Sequence, residues 1–231
     1  MPVTHRVNDE TLADYAAGNL PEAFSLVVAA QASLRADVRA RLAELDAVGG
    51  AVLDRAEPAQ MAPGALEATL ARIAGKAAEP APAPDPVSTA PAPDPVSTAQ
   101  DDMGRDILPA PIRAYIGGGI DHVQWRPLGM GAKQAILKTS REATARLLYI
   151  PAGSQLPDHG HGGTEMTLVL RGAFLDGDAR FARGDVETVD EDVEHTPVAD
   201  VGEDCICIAA TDAPLKFSRL LPRMAQPFLR I

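Results

Sequence analysis

The residues best suited to metal chemistry gather between Gly153 and Gly172. His159 and His161 stand two positions apart, so on an extended strand both imidazoles leave the same face. Gly162, Gly163 and Thr164 follow, and glycine would accept the backbone angles of a tight hairpin turn there. Glu165 opens the next apolar run, from which its carboxylate can swing back toward the imidazoles. Neutral imidazoles and a carboxylate on one small surface suit a first-row divalent cation. His195, in Asp-Val-Glu-His-Thr-Pro on a further expected strand, is the fourth candidate ligand. A lone histidine on an apolar strand is usually a packed residue. Here the paired spacing, the carboxylate, the flanking glycines and the distant fourth histidine favour a metal site.

The elements that must position these side chains begin near Ile107. Short apolar runs at 123–128, 135–137, 145–150, 166–170, 186–189 and 205–210 alternate with turn residues such as Gly129 and Gly131. Many short strands at even spacing predict a jelly roll or barrel. The tail 220–231, with Pro222, Pro227 and Phe228, is expected to pack on the barrel edge. Residues 1–76 read instead as a small helical bundle. Asn8 can cap a first helix whose opening turn holds Asp9 and Glu10. A second helix starts at Pro21 and Glu22 and presents Phe24, Val27, Val28 and Gln31 on one face; a third is expected from about Ser33 to Leu53. A fourth, at about 64–74, carries Leu66, Leu70 and Ile73. A bundle this small cannot cover every apolar stripe, so part of it is expected to face a partner. Between the two regions, residues 77–103 form a linker in which Pro-Ala-Pro-Asp-Pro-Val-Ser-Thr-Ala occurs at 82–90 and again at 91–99. Its prolines favour a semi-stiff tether that leaves the angle between modules free. The expected fold class is α + β in separate domains: helical module 1–76, linker 77–103 and β-barrel 104–231.

Composition narrows the function. A net charge of −11 argues against direct nucleic-acid binding through phosphates. No apolar run approaches the length of a membrane span, and the N-terminus lacks a signal-peptide pattern. Cys205 and Cys207 form no disulfide framework, which points to a cytoplasmic, reducing setting. On a strand the two face one side, either as small core residues or, inside a barrel, near the metal. The acidic run Asp185, Glu187, Asp190, Glu191, Asp192 and Glu194 is either a solvated loop or a patch for a basic partner. His5 is expected to be exposed, His122 has no evident partner, and Trp125 reads as core.

Gly153, His159, His161, Glu165 and Gly172 together resemble the first motif of the cupin barrels. Of the second cupin motif only Gly184 and His195 remain, with Asp190, Asp192 and Ala199 at its other fixed positions. The whole chain further resembles the ChrR-type anti-sigma factors. The likeness is carried by Tyr-Ala-Ala-Gly at 15–18, Glu-Ala-Phe-Ser-Leu-Val-Val-Ala at 22–29, Asp-Ala-Val-Gly-Gly at 46–50 and Ala-Thr-Asp-Ala-Pro-Leu at 210–215. The resemblance implies that residues 1–76 bind an extracytoplasmic-function sigma factor and keep it from RNA polymerase. It also implies a C-terminal cupin needed for the response to an oxidant such as singlet oxygen. In that family the helical module holds zinc through an early histidine and His-x3-Cys-x2-Cys. Here Gln31, Arg35 and Val38 stand at the last three positions, so no zinc is expected there. The cupin set His159, His161, Glu165 and His195 is expected to bind a divalent metal, with zinc the first candidate for a sensor that does not turn over substrate. The alternative is a metal-dependent cupin enzyme, a dioxygenase or isomerase, which would hold iron or manganese at an open position. A storage-protein-like barrel explains the linker poorly.

Overall fold

The computed structural model of the protein describes residues 5–75 and 107–216. The tandem repeat and the tail 220–231 lie outside the described residues. Helix α1 (Asp9–Ala16) starts as the sequence predicts: Asn8 Oδ1 accepts a hydrogen bond from the Thr11 amide at 2.7 Å, and Asp9 and Glu10 occupy the first turn. Helix α2 (Glu22–Leu34) and helix α3 (Ala36–Leu53) meet at Arg35, whose backbone is extended at φ −122° and ψ 120°. Ser33 and Leu34 therefore close α2 and do not open α3, a correction to the expected boundary. The Arg35 side chain bonds Asp37 on one side and Asp185 on the other, which pins the break where no glycine or proline marks it. Helix α4 (Ala65–Gly75) has no buried residue. Helix α5 (Ala110–Ile116) leads into the barrel and ends on Gly117, at φ 78°.

Twelve strands follow: β1 (Arg126–Gly129), β2 (Ala132–Ile136), β3 (Thr144–Ile150), β4 (His159–His161), β5 (Glu165–Arg171), β6 (Ala173–Asp176), β7 (Ala179–Ala182), β8 (Val186–Val189), β9 (Glu194–His195), β10 (Val198–Ala199), β11 (Cys205–Thr211) and β12 (Leu215–Lys216). They form a six-stranded sheet in the order β1-β2-β3-β11-β5-β8 and two three-stranded sheets, β10-β6-β7 and β12-β4-β9. The long strands are buried on both faces, so their sequences run apolar without alternation; the two-residue period decides only which face each side chain serves. Ala145 and Leu147 of β3, Met166, Leu168 and Leu170 of β5, and Ile206, Ile208 and Ala210 of β11 join one core with Phe24, Val27 and Val28 of α2. The opposite face of the same strands turns inward, presenting Arg146, Glu165, Thr167, Cys207 and Ala209 to the barrel interior.

The helices and the sheet are thus in direct contact. Seven of the thirteen residues of α2 are buried, including Ala23, Leu26 and Ala30 beyond the single face expected, because α2 lies between the sheet and the other helices. This corrects the expectation that a tether leaves the two parts at a free angle. His5 is corrected as well: its ring packs on Phe181 at 4.3 Å between centroids, and its carbonyl accepts from the Val186 amide at 2.8 Å. Trp125 packs edge-on against Tyr149 at the margin of the shared core.

Candidate metal centre

The turn after His161 does not close a hairpin. Strand β4 pairs with β9 and β12, whereas β5 pairs with β11 and β8, so residues 162–164 carry the chain from a small sheet to the large one. Glycine is needed there for space. A Cβ on Gly163 would lie 2.2 Å from Asp212 Oδ1, and one on Gly162 would lie 2.9 Å from the Pro214 carbonyl oxygen. Asp212 Oδ1 uses that close approach to accept from the Thr164 amide at 2.9 Å. The result is three histidines on one sheet opposite a carboxylate on another. His159 and His195 are direct cross-strand partners, His161 is two residues along β4, and Glu165 starts β5.

The four predicted side chains come together. One ligand atom from each lies within 4.8 Å of the others. His161 Nε2 is 3.1 Å from His195 Nε2, which is 3.2 Å from His159 Nε2, and Glu165 Oε2 is 3.8 Å from His161 Nδ1. Chemistry fixes two of the tautomers. The Pro157 carbonyl, 2.8 Å from His159 Nδ1, can only accept, so His159 carries its proton there. Asp176 Oδ2, 3.0 Å from His195 Nδ1, can accept in the same way. Both rings then turn bare Nε2 lone pairs toward each other, an arrangement that a cation between them would satisfy. The spacing is near the roughly 3.3 Å edge of a tetrahedron whose metal–nitrogen bonds are about 2.0–2.1 Å. The donor set therefore fits a divalent cation.

Electrostatics agree. Burial pushes His159 below the usual imidazole range, against the pull of the Pro157 carbonyl. Burial, then the neighbouring His159 and His195, push His161 down to about 4, so His159 and His161 are neutral donors at neutral pH. Burial raises the Glu165 carboxyl, which a bound cation would offset.

Sequence reasoning missed the residues behind the ligands. Asp176 and Glu187 form a second acidic group with His195; Glu187 Oε2 is 3.7 Å from His195 Nδ1. Burial first, then Asp176, push Glu187 up to about 8. Asp176 ends β6 in a different sheet, so no spacing rule ties it to His195. Glu187 carries a signal, its place in the alternation of β8, but stands within the acidic run that masks it. That run divides: Asp185 bonds Arg35 at 3.0 Å, Glu187 is buried, and Asp190, Glu191, Asp192 and Glu194 are exposed. Cys205 and Cys207 both lie on the interior side, in a cluster with Phe174 and Phe181. Neither joins the ligand groups found among the described residues. The hydrogen bond from Cys205, with burial, drives the Cys207 thiol up, away from reactive thiolate.

Comparison with known proteins gives a consistent picture. Residues 115–214 match the family model described as the ChrR cupin-like domain. The chain is 48% identical over 233 aligned residues to the anti-sigma-E factor ChrR of Cereibacter sphaeroides, with all of both chains covered. It is also similar to a chain in the crystal structure of Rhodobacter sphaeroides SigE in complex with the anti-sigma ChrR. That match has 46% identity and a TM-score of 0.74, over 90% of this chain and 98% of that one.

Proposed function

Since the chain belongs to the family of ChrR anti-sigma factors, with a cupin domain behind a helical N-terminal part, we propose that residues 1–76 bind and inhibit an extracytoplasmic-function sigma factor. The similarity, over 90% of this chain, to a chain solved with SigE carries this reading. The helices support it. Leu66, Leu70 and Ile73 repeat along one face of α4 and are 62%, 56% and 66% exposed, and Val48, Val52 and Leu53 at the end of α3 are also exposed. Apolar stripes left bare at helical spacing mark a protein interface. We take 77–103 as the linker and 104–231 as the cupin domain. The partner acts on RNA polymerase, so the protein works in the cytoplasm. Among the described residues no helix is long and apolar enough to cross a membrane.

In this reading His159, His161, Glu165 and His195 hold a divalent metal, zinc by preference, and the cupin answers an oxidant such as singlet oxygen without catalysing a reaction. Four consecutive positions connect that centre to the helices. Gly184 accepts from Gln31, Asp185 pairs with Arg35, the Val186 amide bonds the His5 carbonyl, and Glu187 faces His195. The alternative, a metal-dependent cupin dioxygenase or isomerase, shares the same four ligands and would show iron and oxygen uptake. Co-purification with an extracytoplasmic-function sigma factor of the SigE type from the same organism tests the main reading. The complex should form with the intact chain and be lost when Leu66, Leu70 and Ile73 are changed together to serine, with melting temperature little altered. Failure of the intact chain to hold the sigma factor overturns it.

A further inference from the structure

The barrel interior holds a cavity of about 300 Å³ that takes in the ligands His159, Glu165 and His195 and the buried Glu187, and whose remaining wall is chiefly apolar, with Leu148, Leu156 and Phe174. That is the lower end of the range for small-molecule sites, and about twice the roughly 150 Å³ of a dry engineered cavity that takes up benzene. The turn between β1 and β2 frames its mouth, where Met130 is held at φ 52° and is 77% exposed. An exposed, pliable thioether over an apolar opening suits entry of an apolar molecule.

One guanidinium enters this space, which it shares with the Glu165 and Glu187 carboxyls. Arg146 alternates inward on β3 between Ala145 and Leu147, which face the helices, and is only 7% exposed. Its Nη1 donates to Gln134 Oε1 at a long 3.4 Å, while its buried Nε has no hydrogen-bond partner. Glu165 lies diagonally across the small Ala209 and acts on Arg146 through its field, with no bond to the guanidinium among the described residues. A packing role alone would be better filled by leucine or methionine, because burying a guanidinium short of acceptors is unfavourable.

We propose that this cavity binds a small organic carboxylate, with its carboxylate on the Arg146 guanidinium and its apolar part against Leu148, Leu156 and Phe174. The planar fork of arginine matches a carboxylate, and the apolar remainder of the wall matches a hydrocarbon chain. The proposal is independent of sigma-factor binding.

Calorimetric titration of the full-length chain with octanoate and with octan-1-ol tests it, both as purified and after chelator treatment. Octanoate should bind one site per chain at least tenfold more tightly than octan-1-ol in both preparations. Arg146→Met should remove that preference. Should this variant misfold, Leu156→Trp, which fills the cavity and keeps the arginine, should abolish octanoate binding. Equal affinity for acid and alcohol, no saturable octanoate binding, or undiminished octanoate binding by either variant would overturn the proposal.

Discussion

His195 is engaged through both ring nitrogens, Nε2 toward the other histidines and Nδ1 toward Asp176 at 3.0 Å. A carboxylate behind a ligand histidine fixes its tautomer and raises its basicity, and losing such a partner typically costs 10–100-fold in metal affinity. Asp176→Asn is expected to weaken metal binding by that factor, read by chelator competition, with the far-ultraviolet dichroism unchanged. Glu187 makes a separate prediction for the metal-free chain. Its folded value near 8 lies above the ordinary carboxyl value, so its contribution to stability is full at acid pH and is lost as pH rises toward and through 8. Stripped protein should melt lower at pH 9 than at pH 6. Glu187→Gln should flatten that slope by on the order of 1–3 kcal/mol, since a tenfold difference in proton affinity between folded and unfolded chains is worth about 1.4 kcal/mol. At this scale the sequence exposed the ligands, because strand alternation and a fixed motif place them, and hid Asp176, which reaches the site only through the meeting of two sheets.

The pin between elements is Gln31. Fully buried on α2, its Oε1 accepts from the Val7 amide at 3.1 Å, and its Nε2 donates to the carbonyls of His5 at 3.2 Å and Gly184 at 3.0 Å. It joins the N-terminal segment, α2 and the turn before β8. At the three positions set against the family's zinc motif stand a satisfied amide at Gln31, a charged pair at Arg35 and an apolar contact at Val38, which is fully buried. Gln31→Leu leaves the Val7 amide and the Gly184 carbonyl buried without this partner, and is expected to cost on the order of 2–4 kcal/mol in denaturant unfolding. Arg35→Ala, which breaks partly exposed pairs, should cost about 1 kcal/mol or less. A Gln31→Leu loss no larger than that of Arg35→Ala would show that the amide is not the pin. The motif comparison singled out Gln31 for the ligand it is not. Its actual work was illegible, since its partners are backbone groups supplied from as far as 153 positions away.

At the scale of the molecule, the linker composition suggested two bodies on a leash, whereas the strands themselves carried the opposite sign. Runs such as 166–170 and 206–210 are apolar at every position, or apolar with one threonine or cysteine, and an antiparallel sheet with one wet face would alternate. Something had to cover the outer face, and α2 does so over Leu147, Leu168 and Ile208. The barrel fragment 104–231 keeps α5 but loses that cover. Relative to the full chain, it should bind a hydrophobic dye, associate in sedimentation and melt at lower temperature, while its interior ligands stay in place. If the fragment instead remains monomeric, dye-free and as stable as the whole, α2 contributes nothing to the sheet. The helical module would then be free to leave the barrel at no energetic cost, and the contacts of residues 184–187 could not link the metal centre to the helices.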